Sequence, residues 1–329
     1  MKQFIIQRAA LLIPFLFLVS VMSFIIIQLP PGDYVDSYIR NLELQGGSVN
    51  EAQKAAIQAQ YGLDKSLPEQ YILWISNIVL HGNFGNSFRF NQPVSQILVE
   101  RVPRTIAISL ASILITWVIA VPLGVISALK QYSFWDYLFA FISFLGLSVP
   151  AFLLALVLMY VVYSQTGWLV TGLFSPEYIN APWSFDKLVD LLKNIWLPLL
   201  VLPITGTGGI IRVLRASLLD ELRKQYVTTA RAKGLREWKV ILRYPVRIAI
   251  NPLISTIGWM LPAMVGGEVV VSKVLNLPTI GPVLLDAIQS QDMYLAGGMV
   301  LILSALTMAG TLLSDILLAV VDPRIRYER

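Results

Sequence analysis

Six apolar stretches of this chain, each of 18 residues or more, carry no charged side chain: Ala9–Gly32, Thr105–Leu129, Tyr137–Pro176, Asn194–Ile211, Ile248–Gly267 and Met293–Ser314. About 20 apolar residues in a helix cover the hydrocarbon core of a bilayer, so each run is a candidate span. The long third run is expected to span over Tyr137–Tyr163 and to leave the membrane near Gly167. The fourth is short but extends to about Leu219, with Arg212 and Arg215 snorkelling to the interface. The expectation is an all-α polytopic membrane protein with six transmembrane helices. Its parts are an N-terminal end with the first span (1–32), a folded extracytoplasmic segment (33–104) and a five-helix core (105–329).

Composition agrees with lipid as the solvent. Apolar residues make up 56% of the 329 and charged residues 14%, against about 25% charged in a soluble domain. Pro14, Pro122, Pro150, Pro198, Pro203 and Pro262 fall inside the runs. In a membrane bundle, neighbouring helices re-satisfy the backbone groups that proline frees. Small residues recur at Gly146, Gly206, Gly208, Gly209, Gly266, Gly267, Gly297, Gly298 and Gly310, where they let helices approach closely.

Lys2 and Arg8 precede the first run, as in a signal peptide. The run is longer than a signal core, and no small-x-small site precedes Pro30-Pro31-Gly32-Asp33, so an uncleaved span is expected. With six spans, one side collects Lys2, Arg8, Lys130, ten basic residues between Arg212 and Arg247, and Arg324, Arg326 and Arg329, which is sixteen of the 25. The positive-inside rule then places both termini in the cytoplasm of a plasma (inner) membrane protein. The net charge of +5 is spent on this asymmetry. No basic stretch interleaved with aromatics points to nucleic acid.

In the external segment, Asn50 is placed to cap a helix over Glu51–Tyr61 stopped by Gly62. Pro68 suits the first turn of a second helix, Pro68–Leu80, ending near Gly82. Tyr71, Trp74 and Ile78 give this helix an apolar stripe, suited to lie on the membrane surface or to cover the outer mouth.

Enzyme signatures are missing. There is no GxxxxGK[ST] loop, HExxH or GxSxG, no cysteine, and one histidine, His81. No catalytic residue, metal site or cofactor of the chain's own is expected. Two ionisable residues near span ends are candidates for pathway or gating contacts, Glu268 just beyond the fifth run and Asp315 just beyond the sixth. A secondary transporter usually shows internal repeats and midplane ion ligands, and neither is evident. A membrane-embedded enzyme or scaffold leaves the next feature without a purpose.

That feature is a basic, patterned stretch at about 216–247. Leu218, Leu222 and Tyr226 recur every four residues, as do Asp220 and Lys224 in a favourable ion-pair order. Gly234 interrupts the helical pattern, and Trp238, Ile241 and Leu242 form a second apolar set. A helix, a glycine turn and a short helix are predicted, either as a docking element or as a basic loop obeying the positive-inside rule.

Tyr226-Val-Thr-Thr-Ala-Arg-Ala-Lys-Gly-Leu235 resembles the cytoplasmic signature loop of ABC-importer permeases of the oligopeptide/dipeptide family. The resemblance runs almost end to end: Pro31-Gly32-Asp33, Gly62-Leu63-Asp64, Pro68, Gln70-Tyr71, Trp74, Gly82, Gly85, Ser87, Ser148-Val149-Pro150, Leu277-Pro278, Gly281 and Asp322–Tyr327. It implies a permease that pairs with a homologous second permease, two ATPase subunits that bind ATP and Mg, and an extracytoplasmic solute-binding protein. It also implies that the ATPase-coupling loop is Thr228, Thr229, Ala230, Arg231, Ala232, Lys233, Gly234 and Leu235. Thr228-Thr229-Ala230 stands where the broader pattern has Glu-Ala-Ala, Arg243-Tyr244-Pro245 where His-Ala is frequent, and Asn83 where aspartate is common. Short oligopeptides are the expected solute, with oligosaccharides as the alternative.

The expected topology puts Asp33–Arg104 outside and Arg212–Arg247 inside. An impermeant thiol reagent applied to intact cells is expected to label Asn86→Cys and not Lys233→Cys. The cysteine-free background makes the reverse pattern an unambiguous refutation.

Overall fold

The computed structural model describes residues 2–28, 65–87, 89–256 and 269–321. They form helices α1 (Lys2–Gln28), α2 (Leu67–His81), α3 (Val94–Leu129), α4 (Phe134–Ser148), α5 (Ala151–Thr166), α6 (Phe185–Leu222), α7 (Gln225–Ala232), α8 (Glu237–Arg243), α9 (Pro245–Ala249), α10 (Val269–Val274), α11 (Ile280–Gln289) and α12 (Met293–Val321). A two-residue antiparallel ladder, β1 (Asn86–Ser87) and β2 (Gln92–Pro93), lies before α3. The chain divides into two units: Met1–Ile6, Ile106–Pro278 and Thr307–Arg329, and Gln7–Thr105 with Thr279–Leu306.

Ala10–Gln28 within α1, α3, α6 and α12 are long and apolar enough to cross a bilayer, and the pair α4–α5 supplies a fifth crossing if it acts as one span. The fifth expected run, Ile248–Gly267, falls largely on residues outside those described, although residues 251–256 are helical. The expected helix over Glu51–Tyr61, with its Asn50 cap and Gly62 stop, also lies outside them.

The third run differs from expectation. It is two helices meeting at 97°, not one continuous helix over Tyr137–Tyr163. Proline clashes with a helical conformation in the residue before it and has no N–H to donate. Val149 accordingly turns to φ −89°, ψ 121°, ending α4, and Pro150 starts α5. Gly167, at φ 70°, closes α5 where the chain was expected to leave the membrane.

In the larger unit α6 is the spine. Its N-terminal half buries Leu197, Val201 and Leu202 against Ile108, Ala155 and Leu275. Its C-terminal half buries Ile210, Ile211, Leu214 and Leu218 against Ala120, Ile241 and Leu253. Pro198 and Pro203 are accommodated within it, and Thr207 Oγ1 donates to the Pro203 carbonyl at 2.6 Å. Helix α4 crosses α6 at bare backbone: a methyl group on Gly208 would fall 2.5 Å from the Ser143 carbonyl oxygen, and one on Gly146 2.9 Å from that of Ile204. At the start of α6, Lys187 is buried under the carbonyls of Ile179 and Ala181 and the rings of Phe174 and Trp183. Asp190 holds Ser175 through its N–H and hydroxyl. These contacts fold the α5–α6 loop onto the helix.

In the other unit, α2 begins at Ser66, whose N–H and hydroxyl both reach Glu69, and ends at Gly82 with φ 62°. The Tyr71–Trp74 stripe does not lie free. It packs on α1, with the Phe24 ring 5.6 Å from Tyr71 and 5.9 Å from Trp74. A Ser20–Tyr71 hydroxyl contact and a Gln28–Gln70 amide bond of 2.9 Å add polar links. Nearer its start, α1 leaves Leu11, Ile13, Phe15, Phe17 and Leu18 exposed, which suits lipid.

Gly208→Leu is expected to lower the thermal unfolding temperature of the purified protein, since forcing atoms into a closed contact costs about 1–3 kcal/mol. Gly209→Ala is expected to leave it unchanged, because nothing lies within 4 Å of the position of its added methyl.

Candidate functional site

The stretch after α6 has the predicted outline with a different hinge. Helix α6 stops at Leu222, and Lys224, extended at φ −74°, ψ 148°, starts α7. The break carries Lys224 off the face it would share with Asp220, and no ion pair between them is formed. Glu221 instead receives the Tyr226 hydroxyl at 2.6 Å. Burial, and then this donated bond, push the Tyr226 phenol above its ordinary pKa.

Val227 and Ala230 on α7 are buried against Val240 of α8, with Tyr226 and Tyr244 at the edge. The two helices therefore form a small unit with its own core. Between them Gly234 adopts φ 71°, a left-handed conformation that glycine reaches without a Cβ clash. Arg231 closes the turn with a fork onto Glu237, Nη2 to Oε1 at 2.6 Å and Nε to Oε1 at 3.1 Å. The shared bonds raise the pKa of Arg231 and hold the Glu237 carboxyl below its usual range. Because the lowered group is an acid, the fork holds at neutral pH and is lost as pH falls through the depressed value.

Of the eight loop residues, Ala230 alone is buried, while Thr228, Thr229, Arg231, Ala232, Lys233, Gly234 and Leu235 are exposed. The second apolar set is split. Ile241 joins the α6 core, while Trp238 and Leu242, one turn apart, are 57% and 56% exposed. The surface thus shows an apolar pair beside Arg236, Lys239 and Arg243. A helical pair anchored on α6 through Ile241, with exposed tryptophan, leucine and basic side chains, is equipped to dock. No group on it is arranged for bond-making.

Arg215 does not snorkel as expected. It donates from Nε and Nη2 to both Asp136 oxygens at 2.7 Å. Asp136, 6% exposed at its side chain, also receives the Ser127 hydroxyl and the Tyr132 N–H at 2.9 Å. The end of α3, the start of α4 and α6 are thereby tied together seven residues before α6 ends. Sequence reading missed the pair because Asp136 sits just outside the charge-free run and 79 residues from its partner. The signal available was a lone acid in the first turn of a span. Arg212 follows expectation better: it is exposed, with its guanidinium 5.6 Å from the Phe144 ring centre. Of the two gating candidates, Asp315 is half-buried on α12 and has a partner. Glu268 lies outside the described residues.

Residues 120–327 match the family described as binding-protein-dependent transport system inner membrane component, and residues 1–110 match its N-terminal counterpart. The chain belongs to this family. It is 34% identical over 328 residues to the oligopeptide transport system permease protein AppB of Bacillus subtilis (strain 168), covering 99% of this chain and 100% of that one. A protein of Brucella suis biovar 1 (strain 1330) named as a peptide permease is 36% identical over 327 residues, covering 99% of both. A peptide ABC transporter permease by name, from Sinorhizobium fredii (strain NBRC 101917 / NGR234), is 32% identical over 328 residues. The protein is a multi-pass membrane permease subunit of an ABC importer, a transport component working with permease, ATPase and binding-protein partners.

Removing one partner of a buried ion pair strands the other, at a cost of roughly 3–5 kcal/mol. Arg215→Leu is therefore expected to cut the yield and melting temperature of the purified permease far more than Arg212→Leu, whose side chain is exposed. Equal effects would show that the Asp136 fork does not hold these helices.

Proposed function

We propose that this permease pairs with a homologous permease, that two ATPase subunits bind the α7–α8 unit, and that the assembly imports short oligopeptides delivered by an extracytoplasmic binding protein. Both termini and α7–α8 then face the cytoplasm, where ATP and Mg are held by the ATPases. The observation that carries the reading is the exposed α7–Gly234–α8 turn. It is stiffened by its own core and the Arg231–Glu237 fork, and open on the side away from α6. Rigidity lets a docking element transmit a push, and a Cβ on Gly234 would meet nothing within 4 Å in this chain. That space is free for a partner surface. Peptide is preferred as solute because relatives matching the chain end to end carry peptide-transport names. Asp315 is assigned to the inner part of the pathway and Glu268 to the outer part.

The test is uptake of labelled di- to hexapeptides by cells carrying the whole system. Wild type is expected to transport them. Gly234→Val should lose transport at normal membrane expression, with the ATPase subunits either released or hydrolysing ATP uncoupled from uptake. A β-branched residue at positive φ costs about 1–2 kcal/mol and pushes the turn off its partner, whereas the packing of α6 does not depend on it. Ala232→Ser should be tolerated and Ala232→Trp should not. Wild-type uptake by Gly234→Val with ATPase bound would overturn the docking assignment. Uptake of cello- or xylo-oligosaccharides without peptides would overturn the solute.

A further inference from the structure

In the unit formed by Gln7–Thr105 and Thr279–Leu306 lies a cavity of about 360 Å³. Its walls come from the second half of α2, the 82–86 loop and the start of α12, and include Trp74, Asn77, His81, Asn83, Asn86 and Tyr294. The walls are built rather than incidental. Gly85, at φ 90°, lies so close to Tyr294 that a methyl group there would come within 2.8 Å of the ring. Asn83 Oδ1 accepts the Gly85 N–H at 3.0 Å. Ser87 donates to the fully buried Asp292 at 2.5 Å, and Asp292 also takes the N–H groups of Arg89 and Leu295. The loop wall is thereby anchored to the start of α12, which carries Tyr294.

The chemistry of the lining points to a ligand. Among the described lining residues there is no carboxylate, lysine or arginine, and three are asparagines. An asparagine amide offers a donor and an acceptor together, which is the pair a peptide group presents. A charged group entering the cavity would be desolvated without a counter-charge. The volume falls at the lower end of the range for ligand pockets, about 300–1,000 Å³, and suits part of a short oligomer.

We propose that this cavity is a receiving site for the uncharged amide-bearing middle of a short solute, taken up by Asn77 and Asn83 beside Tyr294. The proposal rests on the importer reading above and adds a contact on this chain itself. Sugar hydroxyls present similar donors and acceptors, so the test includes them.

The complete transporter, held in lipid nanodiscs without its binding protein, is dialysed against radiolabelled N-acetyl-tetraalanine amide, tetraalanine with free ends, and cellotetraose. Saturable binding of the blocked tetraalanine is expected. Asn83→Asp keeps the acceptor for Gly85 and replaces the amide donor with a charged oxygen, and Asn77→Leu removes one amide. Each should weaken binding about tenfold, the size of one hydrogen-bonding group, at unchanged melting temperature. No saturable binding by wild type, or equal affinity across the variants, would overturn the site. Binding of cellotetraose alone would overturn its assignment to amides. Peptide uptake is measured separately, so a failed cavity with intact uptake leaves the importer reading standing.

Discussion

A backbone in hydrocarbon has no water to bond to, and every N–H and C=O must find its partner within the protein. Helix α6 runs on through 38 residues even with two prolines inside it, and Thr207 adds a hydroxyl bond to the Pro203 carbonyl. The rest of the larger unit leans on that continuity. The helix presents apolar side chains to two clusters and bare glycine backbone to α4. Seven residues before its end it carries the arginine that locks α3 and α4 in place. Hydrophobicity drives little association between helices in lipid, so close backbone contact and a few satisfied polar groups must hold the bundle.

The end of α6 shows how a rigid helix is joined to a docking element. The hinge at Arg223–Lys224 is a single extended residue, and everything beyond it has its own support: the Val227–Ala230–Val240 core, the Tyr226–Glu221 bond and the Arg231–Glu237 fork. An isolated seven- or eight-residue helix is not stable in water. Two such helices packed on each other and tied across a left-handed glycine are stable enough to offer a fixed shape. The buried Asp136–Arg215 pair stands just upstream, and its low exposure makes geometry there exacting.

The chain's own sequence was legible where a residue's role depends on its near neighbours. Gly82 and Gly234 were both expected as turn glycines, and both have positive φ. The α2 helix and the helix–turn–helix at 216–247 could be read from caps and periodicity. Pro150 marks a break in the third run but does not by itself tell a kinked span from two helices. The degree of bending depends on what packs against each half, and here the outcome is 97°. The apolar stripe of α2 was visible, but its partner on α1, more than 40 residues away, was not.

Charge-free runs of membrane length, basic residues gathered on alternate loops and a patterned signature segment determined by themselves that this is a helical membrane permease, because crossing hydrocarbon constrains composition residue by residue. Tertiary structure alone decided which charged groups are neutralised and which loops are walls. Asp136 meets Arg215, Ser87 meets Asp292, and Gly85 lies against Tyr294 through contacts spanning 79 to more than 200 residues. Such pairs leave no periodic mark in the chain, because the Coulomb and steric terms that select them act only after distant helices have been brought together.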